Sequence, residues 1–103
     1  MFKISFYVPE THVDVVKTAM FAAGAGKIGN YDSCAWQCKG EGQYRPLEGS
    51  DPYLGQKGKV EQVDEFKVEM VCAAEKIREV VSAMKAAHPY ETPAYNVTKL
   101  ELL

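Results

Sequence analysis

The spacing of apolar residues switches between a period of two and a period near 3.6 along this chain, and the order of the switches restricts its fold. A period of two is typical of a strand with one buried face, and spacings of three and four are typical of a helix. The strand-like segments are Met1–Val8, Ser33–Tyr44, Val60–Cys72 and Ala94–Leu102, and the helix-like segments are Thr11–Ala23 and Ala73–Ala87. The order β-α-β-β-α-β predicts one domain over residues 1–103, a ferredoxin-like α+β sandwich with two helices on one face of an antiparallel sheet.

The first helix has a plausible start and an apolar stripe. Thr11 is its predicted N-cap, because a threonine hydroxyl can accept a hydrogen bond from a backbone N–H of the first turn. Val15, Val16 and Met20 belong to the predicted stripe that faces the sheet.

The segment His88-Pro89-Tyr90-Glu91-Thr92-Pro93-Ala94-Tyr95 joins the second helix to the last strand. Each of its two prolines fixes its own φ and disfavours helical backbone in the residue before it, so the connector is predicted to be extended and stiff. It carries an imidazole, a carboxylate and two phenols at a junction of regular elements, where binding sites are often built.

The corresponding connector in the first half, Gly24–Tyr31, contains three glycines. It follows a helix and precedes a strand, whereas a phosphate-binding loop follows a strand and precedes a helix. This order excludes a Walker or dinucleotide motif, although amides in such a turn can still bind an anion.

The two connectors occupy equivalent positions in the two β-α-β halves, and we expect them to emerge at the same end of the sheet and to form one cleft. The predicted ligand-binding residues are Gly26, Gly29, Asn30, Tyr31, His88, Tyr90, Glu91 and Tyr95. Simpler roles compete with ligand contact: helix capping for the histidine, a bond to loop amides for the glutamate, and packing for the tyrosines of the second connector.

The long hairpin segment in the middle of the chain is harder to interpret. Ser33–Tyr44 reads as one bent strand or two short ones because it contains Gly40 and Gly42. The following loop, Pro46–Lys59, has either a functional role or none beyond connecting strands. The acidic outer face of Val60–Cys72 is interpreted as a solvated surface.

Composition excludes several classes of partner. The net charge is −2, and no run of basic residues indicates nucleic-acid binding. No apolar run approaches the roughly 20 residues that cross a bilayer, and no basic-then-apolar leader is present. Three cysteines without an export signal predict reduced thiols and a cytoplasmic location, with Cys34 and Cys38 buried on one strand face beside Trp36.

Two stretches carry a resemblance to a known family: residues 24–34, from the glycine connector into Asp32-Ser33-Cys34, and residues 88–97, the proline connector followed by Asn96-Val97. They resemble the YqfO domain, which is inserted into many bacterial NIF-three-like proteins and also occurs alone. The spacer Gly40-x-Gly42-x-Tyr44-x-Pro46 is similar too. The resemblance implies a fold similar to the trimeric CutA and PII proteins and a regulatory or ligand-binding role. This chain has Thr92 and Asn96 where the usual motif has acidic residues.

Three functions follow from these observations. The first is a small, non-catalytic ligand-binding module that needs no cofactor. The second is a CutA-like divalent-metal binder using His88, Glu91 and Cys34, with His12 expected at the opposite end of the molecule. The third is a hydrolase, which lacks support because no nucleophile–base pattern is present. A half-apolar open sheet face, carrying Tyr7, Gln37 and Val71, also predicts a homo-oligomer, and the resemblance implies a trimer.

Overall fold

A computed structural model describes residues 1–103 and confirms the predicted α+β architecture. Each α-helix is preceded by a 3-10 turn, Glu10–His12 in the first half and Ala74–Lys76 in the second. The strands are β1 (Phe2–Pro9), β2 (Trp36–Tyr44), β3 (Glu61–Cys72) and β4 (Tyr95–Lys99), and the helices are α1 (Val13–Ala22) and α2 (Ile77–Ala87). Ser33–Ala35 lies outside β2, which is one continuous strand.

The four strands form one antiparallel sheet in the order β2-β3-β1-β4. The two central strands pair along their length, from Phe2 opposite Cys72 at one end to Pro9 opposite Glu65 at the other. Both helices pack against one face of this sheet and against each other.

The core lies between the helices and that face of the sheet. Alternate residues of the central strands meet the inner faces of the helices, so nearly all buried apolar side chains form one cluster. The cluster comprises Ile4, Phe6, Val8, Val13, Val16, Met20, Ala25, Val68, Met70, Cys72, Val80 and Met84. Burial of each large side chain contributes roughly 1.5–3 kcal/mol. Neither helix is long and apolar enough to cross a membrane.

The start of α1 differs from the prediction. Thr11 lies within the 3-10 turn and caps nothing, and its hydroxyl lies 2.8 Å from Nδ1 of His12. Val15 is 54% exposed, because the side chains that face the sheet are Val13, Val16 and Met20, spaced by three and four residues.

The opposite face of the sheet has no covering layer. Side chains directly opposite each other in an antiparallel pair share a face, and Trp36 and Cys38 are opposite Glu69 and Lys67 on this open face. Trp36 is 59% exposed.

The predicted burial of two cysteines is therefore wrong. Cys38 is exposed on the open face, and Cys34 is half-buried in the segment before β2. Gln37, expected on the open face, instead faces the helices and accepts a 2.7 Å hydrogen bond from Lys17. The strand begins later than its alternation suggested, and its register with β3 determines which face each residue takes.

Gly26 joins the end of α1 to the end of β3. Its N–H donates to the carbonyl of Val71, and its own carbonyl accepts from the N–H of Cys34, both at 2.8 Å. Its φ is +78°, and a Cβ at this position would lie 2.8 Å from the ring of Phe21. Only glycine meets both requirements.

The two connectors lie at opposite ends of the sheet, so their predicted convergence is wrong. Gly26 bonds to Val71, which is opposite Lys3 near the start of β1, whereas Nε2 of His88 lies 2.7 Å from the carbonyl oxygen of Tyr7. From Lys3 to Tyr7 the strand advances about 13 Å. Because β1 and β3 run antiparallel, the helices that follow them finish at opposite ends of the sheet.

Replacing Gly26 with alanine should lower the free energy of unfolding by about 3 kcal/mol, since the change adds a steric overlap to an unfavourable φ. Gly29→Ala is the matched control: its φ is +56°, but nothing lies within 4 Å of the new methyl group. We expect a loss of about 1 kcal/mol there. Urea unfolding measures both, and equal losses would contradict the packing argument.

Candidate functional site

A cavity of about 530 Å³ opens at the end of the sheet where β1 finishes. Its walls come from the ends of β2 and β3, from the segment that joins these strands, and from the connector between α2 and β4. A second hollow of about 590 Å³ continues along the open face towards Trp36. The two spaces share Tyr7, Gly42 and Glu65.

Glu65 lies at the boundary of the two spaces and is only 9% exposed. The hydroxyl of Tyr90 donates a 2.9 Å hydrogen bond to its Oε2 atom. Burial raises the pKa of Tyr90 and the Glu65 carboxylate raises it further, so the phenol stays protonated and acts as the donor. Gly42 leaves the room for this carboxylate, because a Cβ at residue 42 would overlap it.

Aromatic rings surround the Tyr90 side chain. Its ring centroid lies 4.9 Å from that of His88, 5.8 Å from that of Tyr44 and 6.3 Å from that of Tyr53. Tyr53 in turn meets the ring of His12 edge-on, with centroids 5.7 Å apart. Edge-on and tilted contacts of this kind are favourable beyond the apolar area that they bury.

Glu91 links the connector between α2 and β4 to the loop that follows β2. Both of its carboxylate oxygens lie within hydrogen-bond distance of the backbone N–H of Asp51, at 3.1 and 3.2 Å. The hydroxyl of Tyr44 donates to the carbonyl of Leu54 at 2.8 Å, which holds the same loop from the other side. The predicted bond from Glu91 to a loop amide is thus confirmed, and the loop after β2 forms a wall of the cavity.

His88 has a defined tautomer. Its Nε2 lies 2.7 Å from the Tyr7 carbonyl oxygen, and its Nδ1 accepts from the N–H of Tyr90 at 3.1 Å. A carbonyl only accepts and an amide N–H only donates, so the ring is neutral with its proton on Nε2. Burial lowers the pKa of His88, against the opposing effect of the Tyr7 carbonyl. The predicted capping role of the imidazole is wrong, and no ring nitrogen remains free for a ligand.

The remaining predicted site residues lie away from the cavity. Tyr95 faces the helix side of the sheet, where the Lys85 ammonium lies 5.1 Å from its ring centroid. At the other end of the sheet, Ile28 and Tyr31 close a two-residue turn with reciprocal backbone hydrogen bonds of 2.9 and 3.0 Å. Gly29 and Asn30 form that exposed turn, and the amide of Gly26 is already bonded to Val71.

The predicted metal-ligand set is not assembled. Cys34 bonds to Gly26 at one end of the sheet, whereas His88 and Glu91 lie at the other. His12 is found beside Tyr53 at the cavity end, contrary to the expectation that it lies far from His88. No group of three or more histidine, cysteine, aspartate or glutamate side chains is positioned to hold a metal ion.

Sequence reasoning missed Glu65, Gly42, Tyr44 and Tyr53. A signal was present for two of them: glycine inside a strand often marks the close approach of another group, and strand periodicity puts Glu65 on the same face as Glu69. Nothing in the sequence indicated that the loop after β2 folds back over this face.

The buried His88 should make stability depend on pH. Because the pKa of His88 is lowered in the folded chain, the unfolded chain takes up a proton first as the pH falls. The stability that the neutral His88 side chain contributes is complete above the ordinary pKa of 6.5. It declines as the pH falls from there towards the lower pKa of the folded chain. His88→Gln should cost about 2 kcal/mol at pH 7.

Urea unfolding of the wild type and His88→Gln at pH 7 and pH 5 measures this effect. The stability difference between the two chains should shrink at pH 5, since all other titrating groups are common to both. A difference that stays constant across this range would contradict the assignment of a neutral, buried imidazole.

No protein-family model matches the chain. Curated relatives do match, and two of them are each described as a "GTP cyclohydrolase 1 type 2 homolog". That of Halalkalibacterium halodurans is 43% identical over 100 residues, covering 97% of this chain and 27% of its own length. That of Mycobacterium leprae is 48% identical over 94 residues, covering 91% and 24%. The chain thus spans about a quarter of these relatives.

Solved structures show the same relationship. A Bacillus cereus protein related to NIF3 superposes with a TM-score of 0.84 at 40% identity, covering 98% of this chain and 26% of that one. CutA from Xylella fastidiosa gives a TM-score of 0.71 at 16% identity, with coverages of 98% and 84%, and shows likeness of fold alone. The chain is therefore homologous to the insert domain of the NIF3-related GTP cyclohydrolase 1 type 2 homologs, and it has the CutA-like fold.

Proposed function

We propose that this chain is a non-catalytic module that binds a small molecule in the cavity beside Tyr90. The observation that carries the proposal is the construction of the cavity from three chain segments, held together by the bonds from Glu91 to Asp51 and from Tyr90 to Glu65. A volume of about 530 Å³ falls within the range of small-molecule sites.

The chemistry of the lining supports binding rather than catalysis. The neighbouring imidazole of His88 has both nitrogens bonded to backbone groups, so it has no lone pair for a substrate proton. Burial raises the pKa of Tyr44 and Tyr90, and nearby carboxylates add to the effect, which keeps both phenols protonated. The imidazole and the two phenols therefore supply neither the activated nucleophile nor the base that hydrolysis needs.

The relation to longer proteins suggests how such a module would act. The chain corresponds to about a quarter of its relatives, so the activity in their name is not assigned to it. We propose a regulatory or ligand-sensing role instead, in the cytoplasm, where the free thiols of Cys34, Cys38 and Cys72 stay reduced.

A thermal-shift screen tests the binding role. We expect at least one class among nucleotides, organic anions, organic amines and divalent metals to raise the Tm of the wild type in a concentration-dependent way. Gly42→Ala should abolish that shift and lower stability by about 1–2 kcal/mol, because its methyl group displaces the Glu65 carboxylate from Tyr90.

Gly40→Ala is the matched control for this variant. Gly40 lies two residues away on the same strand face, and nothing lies within 4 Å of a Cβ built there. It should respond to the ligand as the wild type does. A ligand that stabilises Gly42→Ala as strongly as Gly40→Ala does not use this cavity.

We further propose that the chain forms a homotrimer through its open sheet face. This face presents the 59% exposed Trp36 together with alternating charges: Lys3 and Lys67 pair with Glu69 at 3.7 and 3.2 Å. A large exposed aromatic side chain beside paired charges is well suited to a contact between copies of this chain.

Sedimentation equilibrium at micromolar concentration tests the assembly. We expect a trimer for the wild type and a monomer for Trp36→Glu, since the new carboxylate would be buried without a partner. Ile28→Glu, at a residue that is 54% exposed in the turn at the far end, should remain trimeric. A wild-type monomer would rule out this mode of association.

A further inference from the structure

The Glu65 carboxylate lacks a cationic partner. The five ion pairs of the structure do not include it, although the residue is only 9% exposed. Oε2 accepts from Tyr90, while Oε1 makes no hydrogen bond within the chain and borders the cavity where Gly42 has no side chain. Acidic side chains are mostly exposed, and this largely buried one has neither an ion-pair partner nor a donor on its second oxygen.

The surroundings of this free oxygen match one kind of partner. The cavity wall carries two carboxylates, Glu65 and Glu91, against one guanidinium, Arg45, so its charge is negative. Four tyrosines line the cavity, and three of them, Tyr44, Tyr53 and Tyr90, form a cluster of aromatic surface beside the carboxylates. Aromatic rings attract cations through their quadrupoles.

We propose that the cavity selects a small organic cation, whose protonated amine donates to Oε1 of Glu65 and whose carbon frame packs on the tyrosine rings. Tyr90 holds the second carboxylate oxygen, so the acceptor is preorganised before the ligand arrives. Gly42 keeps the approach to Oε1 open. This inference rests on the proposed ligand-binding role of the cavity and specifies the chemical class of its ligand.

Three probes of similar shape and different charge test the preference. In NMR titrations of the ¹⁵N-labelled chain, 2-phenylethylammonium should cause saturable shifts of the amides of Gly42, Glu65 and Tyr90. The neutral 2-phenylethanol should bind at least about tenfold more weakly, because it lacks the charge-assisted hydrogen bond. The anionic 3-phenylpropanoate should bind more weakly still.

Glu65→Gln keeps an acceptor for Tyr90 but removes the charge, and it should lose about tenfold in affinity for the ammonium probe and with it the preference over the alcohol. Glu61→Gln is the matched control, since Glu61 lies four residues earlier on the same strand face. It should stay within about threefold of the wild type, because its charge acts only at longer range.

The possible outcomes separate this inference from the binding role. Equal or tighter binding of the alcohol or the acid overturns the cation preference while supporting a ligand site. Absence of shifts with all three probes also overturns the cation preference, and the thermal-shift screen then decides the binding role by itself. If Glu65→Gln dissociates the oligomer and leaves amine affinity unchanged, the cation is a side chain of a second copy, and the inference fails. An unchanged oligomer together with the affinity loss supports it.

Discussion

The antiparallel pairing of β1 with β3 determines where the other parts of this molecule lie. Each strand is followed by a helix that runs back over the same face, so the two helices are antiparallel and finish at opposite ends of the sheet. The glycine connector therefore lies at the end near Lys3, and the proline connector lies at the end near Tyr7. The same pairing directs the side chains of Glu65 and Tyr7 to the open face, where the cavity forms.

Beside the cavity, hydrogen bonds as well as aromatic contacts hold the proline connector and the loop after β2. Tyr90 bonds to Glu65 on the strand and Glu91 bonds to the amide of Asp51 in the loop, so the proline connector bridges the sheet and the hairpin loop. At Glu65 one carboxylate oxygen accepts from Tyr90, and the other has no donor within the chain. This free oxygen beside the aromatic rings is the physical reason to look for a cation in this cavity.

Much of the fold could be predicted from the sequence, and about half of the site could not. The order of elements and the loop bond of Glu91 were predicted from periodicity and local polarity. The connector was expected to be extended, but its backbone bends over residues 89–92. The predicted burial of Cys38 is wrong, because the periodicity of β2 does not say which of its two faces meets the helices. Cys34 and His88 belong to one predicted metal-ligand set but lie at opposite ends of the sheet, because their separation depends on strand direction.

Some properties of this protein therefore follow from the sequence by itself. Local patterns determine the backbone state of each segment, since a two-residue period, a helical stripe and a proline act within a few residues. Strand register and the path of the loop after β2 were decided only in the tertiary structure, because hydrogen bonds between distant segments choose among faces and ends that local sequence leaves equivalent. The site around Glu65 belongs to this second group: Gly42, Glu65 and Tyr90 are ordinary residues in their own segments and form a site only where β2, β3 and the proline connector meet.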